Sequence, residues 1–382
     1  MCRQSATVCL IKSPGRAERE LPLLADRLST LPDPRDRRGR RHPLAAVLLT
    51  AACAVLAGAR SYLAIGQWAR HAPQHTLARL GFRPHGVLGV RTAPSTSTVR
   101  RVLLAVCPGG LADLLGTDPT GADQVAVDGK TARGSRSHAA PAAHLLAAVT
   151  GTGRTVPPLR VPAKTNEATA FRHLLAPFDL TGVTVTADAL HTQRDHARHL
   201  VEDRQAHFLL PVKGNQPRLH AALRALPWPR VRARYDRKLG HGRRETRSLR
   251  VLTVTDLHLD FPHVVQAAKI LRHRTDARTG KVSRQTVYAI TDLTALQASP
   301  QKLAHLARSH WTIENRLHFV RDTTFAEDAS KIRSGHGPEN MATLRNLAID
   351  TLRDAGHKGI AAGLREVSYA PHDRPLDLLN LP

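Results

Sequence analysis

Two stretches of this sequence place an acid where a β-strand should end. In Val125-Ala-Val-Asp-Gly-Lys-Thr131, Val125 and Val127 alternate with Ala126 and Asp128, so the carboxylate closes the polar register of a strand that stops at Gly129. Val183-Thr-Val-Thr-Ala-Asp-Ala-Leu190 repeats the design: Val183, Val185 and Ala187 alternate with Thr184, Thr186 and Asp188. A charge at the end of a buried strand is costly unless a cation meets it. Taken alone, Asp128-Gly129 reads more simply as a strand-end turn, and the second copy is what shifts the reading. Two such aspartates in one sheet could share divalent cations, and an oxygen donor set suits hard Mg²⁺ or Mn²⁺. Nearer the C-terminus, Leu303, Leu306, His310, Ile313, Leu317 and Val320 recur at steps of three and four, one buried helical stripe. Beside it run Trp311, Glu314, His318 and Arg321, a polar stripe turned either to the sheet's carboxylates or to water.

The elements that must hold these residues follow from periodicity and punctuation. Residues 1–20 are polar, lack the apolar run of a signal peptide and are expected to be a flexible N-terminus. Residues 21–115 predict a helical domain: apolar spacing over Leu21–Leu31, and a basic, Pro-broken segment from Pro32 to Pro43. A helix follows from Pro43 to about Ala57, another near Leu63–Ala69, and a third after the hydroxyl-rich Thr92–Thr98 that carries Arg100 and Arg101. From Gln124 the period changes. Strands are predicted at 125–128, at His144–Thr150 and Val156–Val161 around a Gly151-Thr-Gly153 hairpin, at 183–187 and at Phe208–Val212. Helices are predicted over Asn166–Leu175 and from His191 to about Arg204. Strand, hairpin, helix, strand, helix, strand over 120–216 is the order of a ribonuclease-H-like α/β core. Residues 217–300 predict a mostly β insertion with strands at Ser248–Val254, Val264–Leu271 and Gln285–Thr291, and with basic turns over Arg234–Arg247 and Arg272–Arg284. A helical block at 301–355 closes the core, and 356–382 is a C-terminal tail.

Composition narrows the partner. Fifty-six Lys+Arg against 31 Asp+Glu give a formal charge of +25 over 382 residues. That is the electrostatic footprint of a polyanion binder, nucleic acid first among them, although the Ala/Arg-rich, Lys-poor composition attributes part of the arginine to a GC-rich genome. Cys2, Cys9, Cys53 and Cys107 show no metal-ligand spacing and read as reduced structural thiols of a cytosolic protein. No HExxH pattern marks a zinc site among the 22 histidines. The longest apolar run, Pro43–Ala59, is better explained as a buried helix than as a membrane span.

The ordered motifs together resemble the ISAs1 group of transposases, related to the IS4-like DDE transposases and the H-repeat-associated proteins. They are Asp33-Pro-Arg35 with His42-Pro-Leu44, Ala93-Pro-Ser95, Val127-Asp-Gly-Lys-Thr131 with Arg133-Gly-Ser135, Lys164-Thr-Asn-Glu167, Thr186-Ala-Asp-Ala189, Val212-Lys-Gly-Asn-Gln216, His310-Trp-Thr-Ile-Glu-Asn315, Leu317-His318 and Phe325-Ala-Glu-Asp328. The resemblance implies a ribonuclease-H-like domain with an Asp-Asp-Glu triad, Asp128, Asp188 and Glu314, that holds two Mg²⁺ ions, Mn²⁺ substituting. Asp322, Glu327 and Asp328 are rival third carboxylates. In the related IS4-like signature a tyrosine, an arginine, the glutamate and a lysine share one helix; here those places fall on Ala307, His310, Glu314 and Arg321. Lys130, Lys213, Asn215, Arg308, His310, His318, Arg321, Arg100 and Arg101 are the implied DNA contacts.

The implied activity is metal-dependent cleavage of double-stranded DNA at terminal inverted repeats and strand transfer into target DNA. A homo-oligomer on DNA would carry it out in the bacterial cytoplasm, at the nucleoid and away from any membrane. Two other readings stay open at this point: a metal-dependent nuclease of the same core that joins nothing, and a catalytically decayed DNA-binding protein.

Overall fold

The computed structural model describes residues 14–138, 140–162, 167–240, 242–257 and 259–382. Most of the expected N-terminal flexible segment and the Lys164–Asn166 part of one motif lie outside these residues, while Arg16–Arg19 form a single helical turn.

The alternating stretches form strands of one nine-stranded mixed sheet: β1 Gln124–Ala132, β2 Ala143–Thr150, β3 Thr155–Arg160, β4 Thr184–Ala187, β5 His207–Val212, β6 Arg234–Gly240, β7 Arg243–Thr253, β8 Gln266–Asp276 and β9 Val282–Thr291. Their spatial order is β3-β2-β1-β4-β5-β9-β8-β7-β6. β1, β4 and β5 run parallel, and every other neighbouring pair is antiparallel. Pro157 and Pro158 sit in β3, at the sheet's edge, where the pairing with β2 shifts register between Leu146 and Ala148. The strands of 217–300 continue the same sheet through β9, which pairs with β5. The two basic stretches expected as turns are largely strand: β6 and the start of β7 occupy 234–247, and β8 and β9 run on to Asp276 and back from Val282. Arginine is a weak strand signal, and cross-strand context decided the outcome.

The predicted alternation sorts the sheet's two faces. Val125, Val127, Val183, Val185 and Ala187 join one core with Phe171, Leu174, Phe208 and Trp228. Ala126, Ala147 and Val149 join another, made with Leu28, Val47, Leu103, Ile313, Leu317, Met341 and Leu352. That second core is helical. Its centre is the helix Leu44–Leu56, buried on nearly every side, against which the helix Gly337–Asp354 packs. Ser61 and Ser95 cap the next long helices, accepting from the Ala64 and Thr98 amides at 3.2 Å each. Residues 356–382 add the helices Ile360–Ser368 and Arg374–Leu378. A third apolar patch seats the helix Pro300–Ser309 on Leu209, Leu249, Ala268 and Ala289. Leu209 is in register with Thr186, so this helix covers the sheet face from which Asp128 and Asp188 project.

The reading of the cysteines needs correction. Cys107 is disulfide-bonded, not a reduced thiol, a state that the absence of local metal-ligand spacing does not decide; Cys53 is a buried free thiol. Among the described residues no helix is long and apolar enough to cross a membrane.

Candidate active site

Parallel pairing aligns the two aspartates. Val127 is in register with Ala187, so Asp128 and Asp188 follow at the same level and on the same face. Asp128 lies within β1, which runs on to Ala132 rather than stopping at Gly129, because β2 stays paired with it past the aspartate. Asp128 Oδ1 accepts from the Gly129 amide, and Asp188, just past the end of β4, accepts at Oδ1 from the Leu190 amide, both at 2.9 Å. Asp188 thereby caps the short turn Ala189–His191. Asn215 donates to the Ala189 carbonyl (2.5 Å) and Gln216 to that of Thr192 (2.9 Å), so the Lys213–Gln216 motif braces the turn that carries Asp188.

Glu314 reaches the aspartates from a helix that changes pitch. Residues Ile313–His318 form a π-turn, in which the Phe319 amide bonds back to the Glu314 carbonyl. Such turns recur at functional sites because they re-aim side chains. His318 Nδ1 stands 3.4 Å from Asp128 Oδ2 and 3.3 Å from Glu314 Oε2. Since both carboxylates only accept, Nδ1 carries a proton here, one that a cation bound at Nδ1 would displace. Burial drives the His318 pKa down, but the two carboxylates outweigh it and the net shift is upward. The His318 contact in turn holds Glu314 below its ordinary range. One donor atom each from Asp128, Glu314 and His318 lie within 4.8 Å of one another, a set that fits a divalent cation.

Asp188 lies on the wall of the same cavity, of about 430 Å³, which also meets Asp128, Lys213, Arg234, Arg272, Arg308, His310, Trp311 and Glu314. His310 Nδ1 is 3.2 Å from Thr186 Oγ1, and burial lowers its pKa against the pull of Asp128 and Asp188. Arg308 pairs with Asp236, and Arg272 lies over the half-exposed Trp311 ring, 5.5 Å from its centre. Arg100 and Arg101 are exposed on the helix Thr96–Ala105 and line no part of this cavity.

Three residues expected to touch DNA face inward instead. Lys130 is 9 % exposed and donates to Asp322 at 2.6 Å, with Asp328 at 3.6 Å. Arg321, with no exposed surface, makes two 2.8 Å bonds to Glu327. His318 is 3 % exposed. Of the two orientations left open for the polar stripe, His318 takes the one toward the sheet's carboxylates, and Arg321 turns to Glu327. The same contacts engage the rival carboxylates: Asp322 and Asp328 with Lys130, and Glu327 with Arg321 and Arg345.

One acid near the site carries no role that spacing alone would suggest. Glu167 is clasped by His144 and by His191 (3.4 Å), contacts that pull its pKa down to about 2. It fills the space below Gly129, where an added Cβ would lie 2.5 Å from its Oε1. Its place in the Lys164–Glu167 motif was the available signal.

The cavity sets Asp128, Asp188 and Glu314 among Lys213, Arg234, Arg272 and Arg308, a mix of cation-binding and phosphate-attracting side chains. Residues 25–117 match the DDE_Tnp_1-associated family, and residues 119–350 match the Transposase DDE domain. The chain belongs to the DDE transposase domain family. It is 30% identical to "Putative transposase YncI" of Escherichia coli O157:H7, over 90% of each chain. With "H repeat-associated putative transposase YhhI" of Escherichia coli K12 it shares 31% identity over 91% of this chain and 94% of that one. A piggyBac transposase synaptic complex with hairpin DNA aligns over 96% of this chain and 84% of its own, at a TM-score of 0.45 and 10% identity.

Proposed function

We propose that this chain is an ISAs1-group transposase that cleaves double-stranded DNA at the terminal inverted repeats of its element and joins the freed 3′ ends to target DNA. The carrying observation is the convergence on one open cavity of Asp128 and Asp188, from neighbouring parallel strands, and Glu314, from the π-turn above them. In this reading β1–β5 are the ribonuclease-H-like core and 217–300 its insertion. DNA recognition falls to the helical segment 21–115 and to the insertion's basic strands, and two copies of the chain bring two ends together.

Asp128, Asp188 and Glu314 would hold two divalent cations, Mg²⁺ or Mn²⁺. The chemistry such ions supply when bound is activation of the attacking oxygen and stabilisation of the leaving 3′-oxygen. The protein's own part is positional. The Gly129 and Leu190 amides each fix one oxygen of an aspartate, and the second oxygen of Asp128 faces His318. Lys213 and Arg234, at the cavity, offer positive charge to a DNA backbone. Arg308, paired with Asp236, carries less of that charge outward.

The test uses linear DNA bearing the inverted repeats that flank the gene, with Mg²⁺ and a target plasmid. Asp128→Asn, Asp188→Asn and Glu314→Gln are each expected to abolish cleavage and joining and to leave DNA binding within about threefold. Cleavage without joining would replace the reading with a nuclease, and binding without either would replace it with a decayed element. Full cleavage by Glu314→Gln would remove Glu314 from the triad.

A further inference from the structure

We infer that His318, through Nδ1, is a nitrogen ligand of one of the two cation positions, and that this gives the site a preference for Mn²⁺ over Mg²⁺. The inference rests on the metal-binding cavity proposed above. Four observations carry it. His318 is 3 % exposed, so its ring is held in one place. Its Nδ1 points into the gap between Asp128 and Glu314, 3.4 and 3.3 Å from their oxygens. The three donor atoms fall within 4.8 Å of one another, the spread of ligands around a single ion. Asp188 is outside that group even though it shares the cavity wall, so on its side of Asp128 the ion's third protein donor is a nitrogen.

Glu314 and His318 are four apart, neighbours on one helix face, and both turn to Asp128's side of the sheet while Ile313 and Leu317 are buried in the core. Donor chemistry then sets the metal. Mg²⁺ demands oxygen and dehydrates reluctantly; Mn²⁺ shares the preference for carboxylates but, as a larger and softer transition ion, gives up a water for an imidazole nitrogen more readily. An all-carboxylate cavity would discriminate less.

The alternative for the same geometry is a histidine that acts only as a counter-charge between two carboxylates. It would leave when a cation arrives, and its removal would tighten metal binding. Metal binding to the full-length protein, without DNA, separates the two. For the parent chain we expect pulsed electron paramagnetic resonance of bound Mn²⁺ to show ¹⁴N coupling that changes to the ¹⁵N pattern when histidine is ¹⁵N-labelled. In His318→Gln the coupling should vanish. Calorimetry should show Mn²⁺ affinity falling by about tenfold or more, at least the loss that removing a ligand's supporting partner brings, with Mg²⁺ affinity falling by less. His318→Asp, an oxygen donor at the same place, should narrow the Mn²⁺/Mg²⁺ gap.

Bound Mn²⁺ without nitrogen coupling overturns the inference and leaves the metal-site reading standing. So does tighter Mn²⁺ binding by His318→Gln. A parent chain that binds neither ion removes both. The spectrum of the unsubstituted protein decides the matter even if the variants fail to fold.

Discussion

At the residue scale, the sharpest electrostatic feature outside the cavity is Glu327, 1 % exposed, between Arg321 at 0 % and Arg345 at 2 %. Burial alone would raise its pKa, but the two guanidinium groups outweigh it and hold the carboxyl at about 2, against an ordinary value of 4.5. Because the folded value is depressed, the stabilisation is fully present above the unfolded value and is lost as pH falls from about 4.5 toward 2. Glu327→Gln leaves two buried cations without an anion, a change expected to cost about 3–5 kcal/mol at pH 7. It should also flatten the acid limb of stability over that window. Urea midpoints between pH 7 and pH 2.5 would check both, and an unchanged limb would show that the arginines had found another partner. Glu167, also held at about 2 by His144 and His191, contributes to the same limb, so Glu167→Gln should remove a separate part of it.

At the scale of elements, the strand pattern was legible because two-residue alternation and burial are one signal. Val125, Val127, Val183, Val185 and Ala187 did go to one side of the sheet, with Asp128 beyond Ala126 on the other. β6 was not legible, since Arg234-Tyr-Asp-Arg-Lys-Leu-Gly240 carries no apolar alternation, and only pairing with β7 makes it a strand. The pitch change at Ile313–His318 was hidden for a related reason. A π-turn shifts the phase of the stripe without altering its composition, so spacing left open whether His318 and Arg321 face the sheet or water; both are buried, His318 against Asp128. Motifs without evident chemistry prove to be close-packing devices. Gly134, in Arg133-Gly-Ser135, meets the turn at 327–330 so closely that an added Cβ would overlap the Ser330 carbonyl oxygen and lie 2.6 Å from that of Asp328. Backbone cannot yield as a side-chain tip can. Gly134→Ala should therefore destabilise by about 1–3 kcal/mol, and should loosen the Lys130–Asp328 pairing that ties β1 to this turn. Thermal unfolding would check it, and a midpoint equal to the parent's would mean that the two turns separate freely.

At the scale of the whole molecule, a formal charge of +25 has to be apportioned before it explains DNA binding. Part of it is internal: Arg321, Arg345 and Lys130 are buried against carboxylates, and Arg247, Arg272 and Arg274 surround Glu245 on the insertion. The hairpin beyond Glu245 is different. Arg237, Lys238, Arg243 and Arg244 are exposed at the far edge of the sheet, on the strands that lead to the cavity through Arg234, Tyr235 and Arg247. Charged side chains there also protect an exposed edge from pairing with another sheet, so exposure alone does not make them a DNA contact. Salt dependence separates the two roles, because only charges that neutralise phosphates release counterions. Every phosphate that is no longer neutralised should lower the slope of log affinity against log salt by about 0.9 on duplex DNA. Replacing all four residues with glutamine should therefore reduce that slope by roughly 2 to 4 while folding is retained, as measured by fluorescence anisotropy between about 50 and 200 mM salt. Four substitutions are needed because one charge among so many would fall within the scatter of the slope. A parallel displacement of the line, with weaker affinity and the same slope, would assign the hairpin to edge protection and leave DNA recognition to the helical segment with Arg100 and Arg101.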